Sequence, residues 1–178
     1  FDLYEKHCQA NDLVDFAGLL VKSYELLKNN QSLLDYYQKK FCHILVDEFQ
    51  DTNRIQYQFI KILHNQNNHV FCVGDDDQSI YGWRGARVEN IQKIESDFKP
   101  IKVIKLEQNY RSTGNILSAS NALIAKNQNR LEKSLWTESG DGDLINVFNA
   151  RTETEEAQYV VSEIENHFNQ GKNLSECA

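Results

Sequence analysis

Several residues and patterns that are common in proteins are missing from this sequence. It contains no methionine among its 178 residues and begins at Phe1, so we expect a fragment of a longer protein rather than an intact translation product. No apolar stretch approaches the ~20 residues that a membrane-spanning helix needs, and no signal-peptide pattern is present. We therefore expect a soluble globular chain with a cytoplasmic location and no membrane partner.

Cysteine and histidine spacings that would bind a metal are also missing. The four cysteines show no paired spacing and the five histidines are scattered, so we expect free thiols and no metal site built from these residue types. The formal net charge of −7 argues against an unspecialised nucleic-acid binder, which would present a basic face to phosphates. It does not exclude a motor protein, because a motor needs weak, renewable contacts and aromatic stacking tolerates any base sequence.

The phosphate-binding loop G-x-x-x-x-G-K-[ST] does not occur in the sequence. The only Gly-Lys pair, Gly171-Lys172, lacks the upstream glycine and is followed by Asn173. Without the amides and the lysine of such a loop, the chain has little with which to hold a triphosphate.

What the sequence does contain is a set of three apolar runs, each followed by polar, chemically capable residues. Runs of this kind, separated by amphipathic helices between residues 41 and 107, predict an α/β fold with a parallel sheet of buried strands. Ligands bind such sheets at the carboxyl ends of the strands. The runs, each with the cluster that follows it, are Ile44–Val46 with Asp47–Asp51, Val70–Val73 with Gly74–Gln78, and Ile101–Leu106 with Glu107–Thr113.

The regions on either side of this sheet are predicted from periodicity. Residues 1–40 are predicted to be helical, with Phe16, Leu20, Tyr24 and Leu27 on one face that packs into a core. From residue 108 onward we expect a helix from about Thr113, a turn at 140–143, a strand at 144–148 and a final helix stopped by Gly171. Residues 108–178 would then start a second α/β domain.

The segments Leu45–Thr52, Val73–Ala86 and Leu106–Thr113 resemble three consecutive motifs of the superfamily 1 DNA helicases. The whole chain resembles the UvrD/Rep/PcrA type. The resemblance implies a RecA-like motor domain of the P-loop NTPase class at 41–107, with residues 1–40 in its helical insertion and later motifs beyond the last residue.

The same resemblance implies a function for the parent protein. It would be an ATP-dependent 3′-to-5′ DNA helicase of excision and mismatch repair, coupling ATP hydrolysis to translocation on single-stranded DNA. Its cofactors would be ATP and Mg²⁺, and its partners single strands, duplex junctions and DNA-repair proteins. The fragment by itself is predicted to be inactive, because the phosphate-binding loop is missing.

The resemblance also assigns the nucleotide-site residues. Asp47 and Glu48 would hold Mg²⁺, and Glu48 would orient or deprotonate the attacking water. Gln78 would sense the terminal phosphate and pass the nucleotide state to the DNA-binding loop. Tyr110 would stack on adenine and Arg111 would contact the terminal phosphate, with an interdomain salt bridge as the alternative for Tyr110 and Arg111.

The DNA-binding residues are assigned to the glycine-flanked loop that follows Gln78. Trp83 and Tyr81 would stack on bases, and the alternative is that their rings anchor the domain. Arg84 is assigned to DNA as well, although a nearby carboxylate could instead hold it in an ion pair. Arg87 is assigned no function.

Two alternatives from other functional classes stay open. The first is a metal-dependent nuclease whose centre is built from six carboxylates. The second is a non-catalytic module that binds a protein partner through its acidic surface and the loop around Trp83. The six carboxylates are Asp47, Glu48, Asp51, Asp75, Asp76 and Asp77.

Overall fold

The computed structural model describes residues 1–128, 130, 131 and 133–177. The chain divides into two compact units, the first formed by Phe1–Glu107 with Leu123–Ser134, and the second by Gln108–Ala122 with Leu135–Ala178. Among the residues described, no helix is both long enough and apolar enough to cross a bilayer. The elements in chain order are α1 (Asp2–Ala10), α2 (Phe16–Asn29), α3 (Gln31–Lys40), β1 (His43–Val46), α4 (Arg54–Leu63), β2 (His69–Cys72), α5 (Glu89–Asp97), α6 (Gly114–Ile124) and α7 (Glu153–Asn169).

Three helices of the first unit, α2, α3 and α4, begin at polar residues that satisfy free backbone N–H groups. The Asp15 carboxylate accepts a hydrogen bond from the Gly18 N–H at the start of α2, and the Asn30 side chain accepts one from the Leu33 N–H in α3. At the start of α4, Asn53 forms a capping box with Gln56, in which each side chain accepts a hydrogen bond from the other residue's N–H. These caps define where α2, α3 and α4 start.

The sheet of the first unit consists of β1 and β2, which pair in parallel with Val46 opposite Cys72. Helix α4 connects the two strands, so the expected strand–helix–strand unit with parallel pairing is confirmed. The expectation that the strands are buried is wrong for the residues described. Ile44 and Val46 are half-buried, whereas Leu45, on the opposite face, is 74% exposed.

Two hydrophobic clusters stabilise the first unit. Phe49, Tyr57, Ile60 and Phe98 form one cluster beneath the ends of the strands. The other joins α2, α3 and α4 through Leu27, Leu34 and Leu63. The predicted core face of α2 is only partly correct, because Leu27 is buried while Phe16, at the other end of the helix, is 92% exposed.

The prediction of strands at 101–106 and 144–148 is wrong. Both segments lack strand pairing in the structure, and Leu106 and Val147 are largely exposed. A β-strand is stable only when its backbone groups pair with a neighbouring strand. Within the described residues, β1 and β2 are the named strands and neither segment pairs with them.

The second unit contains the predicted helix α7 and most of the predicted helix α6. The chain turns at Gly140 and Gly142, both with positive φ, and Gly171 follows the end of α7 with φ of +82°. The Thr152 side chain caps α7 by accepting a hydrogen bond from the Glu155 N–H. The Phe148 and Tyr159 rings stack with centroids 4.0 Å apart.

Candidate functional site

The end of β1 carries the two acidic residues assigned to the nucleotide site. Asp47 and Glu48 are exposed, and Glu48 has a left-handed backbone with φ of 48°. The Asp47 carboxylate accepts a hydrogen bond from the Glu48 N–H at 2.9 Å. A short 3₁₀ helix, Phe49–Asp51, follows, and Phe49 anchors it because its side chain is buried in the core. The core therefore holds this acidic turn in one place.

Gln50 connects the ends of the two strands. Its side chain is 1% exposed, and its amide nitrogen donates to Glu48 Oε2 at 2.6 Å. Its amide oxygen accepts the backbone N–H of Asp75 at 3.0 Å. Gly74 permits this approach, because a Cβ at that position would lie 2.9 Å from Gln50 Oε1.

The turn after β2 brings Gln78 into the same network. Gln78 Nε2 donates to Asp75 Oδ2 at 2.8 Å, and the Asp77 N–H donates to Asp75 Oδ1 at 3.0 Å. Glu48 and Gln78 are thus linked through Gln50 and Asp75. The sequence predicts that the two strand ends meet, but it assigned no role to Gln50. One sequence signal could have identified Gln50 as a bridging residue. Its side-chain amide can both donate and accept hydrogen bonds, and it lies between acidic residues in the sequence.

The turn Asp75–Asp77 is held by two basic residues to which the sequence pattern assigned no role. Arg130 donates from Nε and Nη2 to the two carboxylate oxygens of Asp77, at 2.9 and 2.6 Å. Lys133 Nζ donates to Asp75 Oδ1 and, at 3.1 Å, to Asp76 Oδ1. No local signal could have identified these pairs, because the partners are more than 50 residues apart in sequence.

The pKa values of this cluster follow from burial and pairing. Burial raises the pKa of Asp75, but hydrogen bonds from Lys133 and Gln78 outweigh burial, so the net pKa is below its ordinary value. Burial lowers the pKa of the Lys133 ammonium, and its hydrogen bonds to Asp75 and Asp76 reverse this, so the net pKa is raised. Both groups are therefore charged at neutral pH.

A cavity of about 400 Å³ lies beside the end of β1. Asp47, Glu48 and Asp51 contribute to its lining, together with apolar residues such as Phe59. The oxygen Asp51 Oδ1 is buried and has no hydrogen-bond partner among the described residues. Carboxylate oxygens are the ligands that Mg²⁺ prefers, so the residues present fit a hydrated magnesium ion.

The loop after Gln78 presents aromatic rings to solvent. Trp83 is 76% exposed, and the guanidinium carbon of Arg84 lies 4.6 Å from the centroid of its ring and 4.8 Å from that of Tyr81. Within the described part of the chain, no carboxylate forms an ion pair with Arg84. Gly85 closes the loop with φ of +87°, a conformation that favours glycine. Arg84 therefore braces the two rings by cation–π contacts.

This aromatic loop is attached to the turn that carries Glu48. The backbone oxygen of Thr52 accepts the Arg87 N–H at 3.0 Å and the Asn90 side-chain amide at 2.9 Å. Asn90 and Thr52 are buried, so these bonds are shielded from water. Arg87 lines an open cavity together with Arg84 and Arg54. The acidic turn and the aromatic loop thus share one backbone anchor.

Tyr110 and Arg111 lie in the second unit, and the structure describes their local contacts. Tyr110 is 82% exposed and its hydroxyl donates to Gln108 Oε1 at 2.7 Å. Asn109 shapes this turn, because its side chain accepts the Arg111 N–H at 2.9 Å. Arg111 is exposed and has no ion pair in the parts of the chain that are described. The roles of Tyr110 and Arg111 stay predictions.

The six carboxylates of the nuclease alternative do not form one group in the described residues. Asp75, Asp76 and Asp77 are the only group of three or more, in the part of the chain described, whose ligand atoms lie within 4.8 Å of one another. Lys133 forms ion pairs with all three of these carboxylates, and Arg130 forms one with Asp77. The turn Asp75–Asp77 is therefore an ion-pair cluster rather than an open metal site.

Comparison with known proteins shows which protein family the chain belongs to. Residues 1–99 match the UvrD/REP helicase N-terminal domain, and residues 104–178 match the UvrD-like helicase C-terminal domain. The chain therefore belongs to the UvrD/REP helicase family.

Individual relatives are similar along the whole chain. The chain is 53% identical over 178 residues to DNA helicase II of Haemophilus influenzae and 52% identical to DNA helicase II of Escherichia coli. It is 47% identical over 175 residues to the ATP-dependent DNA helicase PcrA of Staphylococcus epidermidis. It covers 24%, 25% and 24% of these proteins respectively, so the chain spans about a quarter of their length.

Proposed function

We propose that this chain is part of the motor of an ATP-dependent DNA helicase, and that its first unit belongs to a RecA-like domain of the P-loop NTPase class. The parent protein would translocate 3′-to-5′ on single-stranded DNA and act in excision and mismatch repair. The observation that carries the proposal is the buried Gln50 bridge, which links Glu48 at the end of β1 to Asp75, the hydrogen-bond partner of Gln78. Membership of the helicase family supports the same function.

In this proposal, Asp47 and Glu48 hold Mg²⁺ and Glu48 accepts the proton of the attacking water. Bound Mg²⁺ would neutralise charge on the phosphate oxygens. Glu48 is suited to this role because Gln50 orients its carboxylate through Oε2, which leaves the other oxygen available. The unpartnered Asp51 oxygen would accept a hydrogen bond from a water in the same cavity.

Gln78 would couple the nucleotide state to DNA. In the sequence, Tyr81 and Trp83 follow Gln78 within five residues. The loop that carries their rings is anchored by a hydrogen bond to the backbone of Thr52, which directly follows the acidic turn. Trp83 and Tyr81 would stack on bases, at ~1 to 3 kcal/mol per base. Arg84 would hold the rings and contact a phosphate.

Two residues of the second unit also have proposed roles in nucleotide binding. Tyr110 would stack on adenine and Arg111 would contact the terminal phosphate, a role in which an arginine can contribute ~10³ to 10⁵ in rate. The exposure of both side chains supports these roles, because neither is committed to a core. The partners of the parent protein would be single strands, duplex junctions and DNA-repair proteins in the cytoplasm.

The test of the nucleotide site is Glu48→Gln in the full-length protein that carries this chain. The variant should bind nucleotide normally and lose about 10²- to 10⁴-fold in turnover, because the proton acceptor is removed. Glu25→Gln, an exposed change in α2, is the matched control. Equal loss of binding and turnover in Glu48→Gln would refute the assigned role.

The test of the DNA site is Trp83→Ala in the same protein. Stimulation of ATP turnover by DNA should fall more than basal turnover, and Trp83→Phe should retain part of the stimulation because a ring is still present. An unchanged DNA response would rule out stacking by Trp83.

The 178-residue chain by itself is proposed to be inactive. It contains no G-x-x-x-x-G-K-[ST] segment to hold the triphosphate. DNA-stimulated ATP turnover by the purified chain would contradict this proposal.

The nuclease alternative has one observation in its favour, the close approach of Asp75, Asp76 and Asp77. The ion pairs with Lys133 and Arg130 argue against it, because they use the oxygens that a metal would need. Labelled single strands incubated with the chain and Mg²⁺, without nucleotide, separate the two functions. Strand cleavage would favour the nuclease.

A further inference from the structure

A short segment after α6 holds the turn that carries Gln78. Arg130 binds Asp77 through two hydrogen bonds, and the Leu131 N–H donates to Asp76 Oδ2 at 2.6 Å. Lys133 Nζ contacts Asp75 and Asp76 and lies 3.3 Å from Asp77 Oδ2. Every carboxylate of the turn thus has a donor from this segment.

The cluster is shielded from water. Side-chain exposure is 15% for Lys133 and 7% to 28% for the three aspartates. Ion pairs with this degree of burial are screened less by salt than surface pairs. Two cations and three carboxylates leave the cluster with one net negative charge. Removal of Lys133 would leave three neighbouring carboxylates with Arg130 alone.

Asp75 is the junction of the network. One of its carboxylate oxygens accepts from Lys133 and the Asp77 N–H, and the other accepts from Gln78. Its own N–H donates to Gln50. The position of the Asp75 carboxylate therefore decides where the Gln78 side chain lies, and Lys133 is the charged group that holds this carboxylate.

We propose that Lys133 is a positioning residue for Gln78, acting through Asp75, with Arg130 fixing the far end of the same turn. The inference rests on the proposed function of Gln78. Without Lys133, repulsion among the carboxylates would pull the turn towards water, and Gln78 would lose its orienting acceptor. Lys133 needs no contact with nucleotide for this role.

The experiment compares variants in the full-length protein that carries this chain. Lys133→Met should reduce DNA-stimulated kcat by at least ~10-fold with little change in KM for ATP, because a displacement of about 1 Å at a positioned group can cost ~10²-fold. Lys133→Arg should restore most of the rate. Lys126→Met is the matched control, since Lys126 is an exposed lysine of the same segment.

A double variant separates positioning from a general structural role. If Lys133 acts through Gln78, the double variant Lys133→Met, Gln78→Ala should be no slower than Gln78→Ala alone. Hydrogen exchange at the amides of residues 77–79 should also be faster in Lys133→Met than in Lys126→Met, because these amides bond within the turn.

Two failures can be told apart. If Gln78→Ala keeps normal turnover, the proposed function of Gln78 fails and the inference fails with it. If Gln78→Ala is defective but Lys133→Met behaves like Lys126→Met, the inference alone is overturned. A further loss in the double variant equal to that of Lys133→Met alone would also overturn it, because the two residues would then act independently.

Discussion

Replacement of Gln50 by leucine tests the link between the two strand ends. Leucine is similar in size and is compatible with burial, but it removes the hydrogen bond to Glu48 and leaves the Asp75 N–H without its acceptor. An unpaired backbone donor costs ~1 to 3 kcal/mol, and a hydrogen bond to a charged group contributes ~1.5 to 3 kcal/mol. Because Glu48 is exposed, water replaces part of its lost bond. We expect the free energy of unfolding to fall by about 2 to 4 kcal/mol.

The variant Gln50→Glu tests the contact with Glu48 more specifically than Gln50→Leu does. It keeps an acceptor for the Asp75 N–H but places a second carboxylate against Glu48. Like charges at this distance raise the pKa of one carboxyl group in the folded state. The folded variant then binds more protons than the unfolded one, so its stability relative to wild type should decrease as the pH rises from about 4 to 7.

The assay is urea unfolding of the 178-residue chain, followed by circular dichroism at several pH values. Gln9→Leu, an exposed change in α1, is the control for added apolar surface. A loss below about 0.5 kcal/mol for Gln50→Leu, the range of an ordinary surface change, would refute the view that the bridge is a buried structural link. A Gln50→Glu variant without pH dependence would refute the contact with Glu48.

Three further predictions concern other parts of the first unit. Burial raises the pKa of the Cys72 thiol to about 11, so at pH 8 iodoacetamide should modify exposed Cys42 well before Cys72, as measured by peptide mass spectrometry. Asn53→Ala should lower the free energy of unfolding by about 1 kcal/mol in urea, because the capping box of α4 is lost. The pKa of Asp75 is lowered on folding, so its stabilising contribution is present above about pH 4 and is lost as the pH falls further. As the pH falls below about 4, the free energy of unfolding should therefore decrease less in Lys133→Met than in wild type, as measured by acid titration. An equal decrease in the variant and wild type would contradict this prediction.

Local features of the fold could be predicted because their causes lie within a few residues. Asn53 and Gln56 form the cap of α4 from side chains three positions apart, and the glycine-flanked loop around Trp83 exposes its ring. The two strand ends were predicted to meet because parallel strands joined by a helix place their carboxyl ends at the same edge. The structure places Glu48 and Gln78 in one hydrogen-bond network at that edge.

The sequence by itself determined the helices, the first two strands, the polar clusters that follow them and the resemblance to a helicase family, because caps, periodicity and ordered motifs are written in neighbouring residues. Tertiary structure alone decided which distant groups meet. It paired Lys133 with Asp75, buried Gln50 between the strand ends and left residues 101–106 without a strand partner. Ion pairs and sheet pairing depend on groups far apart in the chain, and local propensity contains no information about which of them come together.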